Sequence, residues 1–82
     1  MRSKFFKKLE LADVDWEIMP RIDEYGLPRL RFISGKEERS LDLSAVRKVS
    51  QVMREHGEEK NAETLDELID AARQLSLRSI RS

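Results

Sequence analysis

The spacing of apolar side chains changes period near Leu43. Over residues 15–23, Trp16, Ile18 and Ile22 share one parity, while Glu17, Arg21 and Asp23, with Met19, share the other. That is the two-residue period of a half-buried strand. Pro20 lies inside this run and has no N–H to give a ladder, so the pattern predicts an edge or bulged strand. Asp23-Glu24-Tyr25-Gly26 supplies turn chemistry, with Gly26 able to take positive φ. A second strand is predicted over residues 27–33, with Leu30 and Phe32 inward and Arg29 and Arg31 outward.

Ser34-Gly35-Lys36-Glu37 reads as a two-residue hairpin of type II′, which favours glycine at its first central position. Residue 34 opposite 37 sets Leu30 across from Leu41 on the apolar face and Arg29 across from Asp42 on the polar one. Turn chemistry and side-chain pairs therefore agree. The first hairpin has two candidate registers. A three-residue loop sets Arg21 opposite Arg29. A longer loop sets Glu17 opposite Arg31 and Trp16 opposite Phe32. The longer loop is expected, because like charges facing each other are unfavourable.

After residue 43 the spacing becomes helical: Val46, Val49, Met53 and the ring of His56 align, with Val52 alongside. Asp42 or Ser44 is the expected N-cap, and Gly57 the expected stop. Thr64 and Glu67 match a capping box for a second helix, with Asn61 a rival cap. Leu65, Leu68, Ile69, Ala72 and Leu75 form its inner stripe. Acidic residues crowd its start and Arg73 and Arg78 lie towards its end, as the helix dipole favours. The segment 1–12 is ambiguous; Phe5, Leu9 and Ala12 would align on a short helix. The expected fold is α+β: a three-stranded antiparallel β-meander over 15–43, then a two-helix hairpin over 44–80 packed on one sheet face, with a short N-terminal helix as an option for 1–12.

With 82 residues there is room for one domain. A chain of this size buries only about 60–65% of its unfolded surface, which leaves a thin margin and favours self-association. Sixteen basic and sixteen acidic residues cancel, so no global charge draws the chain to nucleic acid or an anionic membrane. The charges come in blocks, acidic over 9–24 and 55–70 and basic over 1–8, 25–36 and 71–82, as expected of an internally compensated fold. There is no cysteine, which suits a reducing compartment and removes disulfides and thiol chemistry. The basic start is followed by acidic residues rather than an apolar run, so neither a secretory signal nor a membrane span is expected, and a cytoplasmic location is. Phe5 and Phe6 among four cations are expected to pack on the domain while the cations stay in water.

Candidate chemistry is sparse. His56 is the only histidine, and one imidazole beside Glu55, Glu58 and Glu59 is a poor zinc site. Helix C-terminal placement explains it without chemistry. Ser34, Ser40, Ser44 and Ser50 lack the surroundings of a nucleophile elbow. Glycine stands only at 26, 35 and 57, which builds no phosphate loop. Neither enzyme activity nor a cofactor is expected. The leading expectation is a non-enzymatic protein–protein interaction module that assembles with itself or with a protein partner, a homodimer by default, with Met19 and Ile33 as exposed contacts on the outer sheet face. The alternative is nucleic-acid binding through Arg21, Tyr25, Arg29, Arg31 and Lys36, although Glu17, Glu38 and Asp42 interleave that strip. A third option is a regulator that neutralises a basic partner protein through the acidic segment 58–70, as a small antitoxin does. Neither turns nor caps are specific enough to identify a family.

Overall fold

A computed structural model describes residues 7–11 and 13–81, the side chains of 79–81 excepted. Four antiparallel strands form one sheet in the order β1-β2-β3-β4: β1 Lys7–Leu11, β2 Val14–Ile22, β3 Pro28–Ser34 and β4 Glu37–Asp42. Two helices follow, α1 Leu43–Glu55 and α2 Glu59–Arg81. The architecture is α+β, but the sheet has four strands and not the three expected.

Over residues 7–11 a strand stands where a short helix was expected. Lys7, Leu9 and Leu11 alternate with Lys8 and Glu10, a period of two that the helical spacing of Phe5, Leu9 and Ala12 obscured. Phe5 and Ala12 themselves, like the basic start, lie outside the described residues. Leu9 pairs with Trp16 and Leu11 with Val14, and Asp13 leads directly into β2. Asp13 takes φ 63° there, the left-handed region that aspartate tolerates better than most residues. With β1 in place, β2 is an interior strand, so Pro20 is not on an edge strand. The described pairing of β1 ends at Ile18, two residues short of Pro20, and Pro20 is buried opposite Leu30.

The first hairpin also takes the register not expected: Arg21 lies opposite Arg29, and Ile18 opposite Phe32. Its loop explains why. The Asp23 carboxylate accepts the Tyr25 and Leu27 N–H groups, both at 2.9 Å. Asp23 N–H donates to the Leu27 carbonyl at 2.9 Å, and Gly26 takes φ 80°. This three-residue loop with a left-handed glycine satisfies four local groups and outweighs one like-charge pair at the surface. Trp16 and Phe32 still meet, as a diagonal edge-to-face pair with centroids 6.3 Å apart. In the second hairpin, Ser34–Glu37, Leu30–Leu41 and Arg29–Asp42 pair as expected. Gly35 has φ 56° and Lys36 is not at positive φ, as in type II′.

Asp42 caps α1, accepting the Ala45 N–H at 2.8 Å. Gly57, at φ 81°, ends it: Gly57 N–H reaches the Arg54 carbonyl and Glu58 N–H the Met53 carbonyl, the two bonds of a Schellman motif. α2 begins at Glu59, earlier than either expected cap. Ala62 N–H bonds the Glu58 carbonyl, and Thr64 Oγ1 donates back to the Lys60 carbonyl inside the helix rather than capping it. Both helices pack on the face carrying Leu9, Ile18, Leu30 and Phe32, closing a core with Val46, Met53, Ala62, Leu65, Leu68, Ile69 and Ala72. Trp16, Leu41 and Val49 are packed against it. The helical stripes differ in detail from expectation. Ser50 and Ser76 are buried, whereas Val52, Leu75 and His56 are exposed.

Candidate functional site

Alternation along the strands sends one set of side chains into the core and the other to the opposite face, which no described element covers. The outward positions can be followed in rows across the sheet. Glu10 and Asp15 lie opposite each other at one end. Next come Lys8, Glu17, Ile33 and Glu38, then Met19, Arg31 and Ser40, and finally Arg21, Arg29 and Asp42. Met19 and Ile33 occupy diagonal positions in the two middle rows. Both are half-buried rather than exposed as expected.

The basic strip is brought together only in part. Arg21, Arg29 and Arg31 line one shallow groove of about 330 Å³ with Asp23, Glu38 and Ser40. Tyr25 stands 81% exposed at the loop tip beyond that end. Lys36 sits in the turn at the other end of β3, whose seven residues separate the two by roughly 20 Å. Two of the three arginines are engaged. Arg31 Nη2 is 2.6 Å from Glu38 Oε2. Arg29 donates from Nε to Ser40 Oγ at 2.8 Å and from Nη2 to the Ser40 carbonyl at 3.1 Å. The Arg31 hydrogen bond holds the Glu38 carboxyl below the usual carboxylate range and raises the guanidinium in turn. Phosphate would have to compete with these contacts. No known protein family, curated protein or solved structure matches the chain.

A second polar cluster joins the helices and was not anticipated. Ser50 Oγ, buried, donates to Asp66 Oδ1 at 2.9 Å and receives Arg54 Nη1 at 3.2 Å. Arg54 also pairs with Glu59 at 3.0 Å and Asp66 at 2.8 Å. The first of these contacts, then the second, raises its pKa. The signal was present in the spacing, since Ser50 falls four residues after Val46 and three before Met53 on the buried stripe. The arrangement clamps α1 to α2 at the floor of a groove of about 420 Å³ that Ser50, Arg54 and Asp66 line with Arg47 and Arg73. His56 caps α1 with its Nδ1 2.9 Å from the Val52 carbonyl. Among the described residues no three His, Cys, Asp or Glu side chains gather as a metal site, and no helix is long and apolar enough to cross a membrane.

Proposed function

We propose that this chain is a small, non-enzymatic self-associating module whose contact surface is the outer face of the sheet. One observation carries the reading: among the described residues the helices cover one side of the four-stranded sheet, and on the other side Met19 and Ile33 stand half-buried in the two middle rows among Lys8, Glu17, Arg31 and Glu38. An uncovered sheet face with apolar side chains inside a polar surround has the anatomy of a contact patch. The side chains nearest to catalytic types support this too, since Ser50 is tied into the interhelical clamp and His56 into a helix terminus. The cysteine-free composition suits the cytoplasm as the setting.

Sedimentation equilibrium across a concentration series tests the reading. The average mass should rise from 9.6 kDa towards that of a dimer as concentration increases. A constant monomer mass at the highest attainable concentration would overturn it.

A further inference from the structure

The outer face carries two like-charge pairs directly across strands, Glu10 with Asp15 at one end and Arg21 with Arg29 at the other. Each is unfavourable within a single molecule. Among the described residues, Asp15 and Arg21 form no ion pair, and both are exposed. Arg29 is already met within the protomer by Asp42 and Ser40, and Arg21 shares a groove with Asp23 and Glu38, so the match between the two ends rests on Asp15 and Arg21, which a second copy turned end for end brings together.

We infer, resting on the self-association reading, that a second copy docks face to face with its strands antiparallel to the first, so that Arg21 of each protomer meets Asp15 of the other. The two-fold axis lies in the interface, perpendicular to the strands. Rotation about it carries β2 onto β2 and reverses the rows, bringing the acidic end over the basic end twice. An axis along the strands would instead set Glu10 and Asp15 on their own copies and Arg21 and Arg29 on theirs. Stacked sheets lie about 10 Å apart, a gap that an extended arginine can cross to a carboxylate. Met19 then lies over Glu17 of the other copy and Ile33 over Arg31, so the middle of the interface sets each apolar side chain against the stem of a charged one.

Edge-to-edge pairing is disfavoured at β4. Its inward-facing Glu37 and Arg39 are exposed and paired to each other at 2.8 Å, and charge at such positions resists strand addition. The sheet face offers on the order of 400 Å² of projected area per copy, from four strands about 4.8 Å apart and about seven residues at ~3.3 Å. That is below the roughly 800 Å² per partner of stable complexes, so the dimer belongs to the weak, transient class.

Charge reversal on the full chain tests this geometry by analytical ultracentrifugation. Arg21→Glu and Asp15→Arg should each raise the dimer Kd about tenfold or more, and the double variant should restore it to within about threefold. Each single change removes a like-charge pair within the protomer, so the urea midpoint read by Trp16 fluorescence should hold or rise while dimerisation weakens. This separates lost docking from lost folding. If wild type dimerises but neither single change moves Kd, or if the double variant is no better than the singles, the docking geometry fails and self-association stands. If wild type stays monomeric throughout, the parent reading fails.

Discussion

Asp42 holds two positions together, as the last residue of β4 and the N-cap of α1. Its carboxylate accepts the Ala45 N–H at 2.8 Å and the Ser44 hydroxyl at 3.2 Å. The Ala45 bond, then the Ser44 bond, lowers its pKa against a small opposing desolvation. A carboxyl whose folded pKa is depressed contributes stability above its unfolded value of about 4, and that contribution is lost as pH falls through the folded value. Asp42→Asn keeps an oxygen for the cap but removes the titration. Its urea midpoint should therefore fall less steeply than that of wild type as pH drops below about 4. Equal slopes for the two proteins would contradict this assignment. Gly35 and Gly57 were legible in the sequence, and Asp42 as one of two cap candidates beside Ser44, because cap and turn chemistry is decided by a few adjacent residues. The Arg21–Arg29 pairing was not. The repulsion was visible, but the hydrogen bonds that the Asp23 carboxylate makes within the loop were not.

The helices show how far periodicity carries. Val46, Met53, Leu65, Leu68, Ile69 and Ala72 fall on the expected stripes and are buried, whereas Val52 is 51% exposed. Leu65→Ala should cost about 2–5 kcal/mol in chemical denaturation, and Val52→Ala should stay within about 0.5 kcal/mol. A comparable loss at both sites would mean that the stripe is misplaced. Hydropathy did not reveal Ser50, because a hydroxyl on a buried stripe looks like an interruption until Asp66 on the next helix supplies its acceptor. The start of α2 departs from its capping-box spacing for a related reason. Thr64 and Glu67 have the spacing of a capping box, yet Thr64 turns back to Lys60 once the preceding turn is already helical. In β1, five residues were too few for alternation to outweigh the competing helical spacing.

The two faces of the sheet were legible from parity, whereas the rows on the outer face required the observed registers. A one-strand error at the N-terminus hid the Glu10–Asp15 pair and with it half of the charge pattern. The β4 edge makes its own prediction. Glu37 and Arg39 point towards the core side yet remain in water, which discourages pairing with a foreign strand. Replacing both with valine should make the protein aggregate on mild heating, measured by light scattering, under conditions in which wild type stays clear. A double variant as clear as wild type would show that these charges do not guard the edge. The order of the strands has a kinetic consequence as well. Each strand bonds only to its neighbours along the chain, so no segment must wait for a distant one or thread past another. A chain emerging from the ribosome can zip its hairpins in turn, and only the closing of α2 over the sheet awaits the last third of synthesis. Topologies dominated by such near-neighbour contacts fold quickly, so the exposure of Ile18, Leu30 and Phe32 to misassembly is set by how soon α2 closes over them.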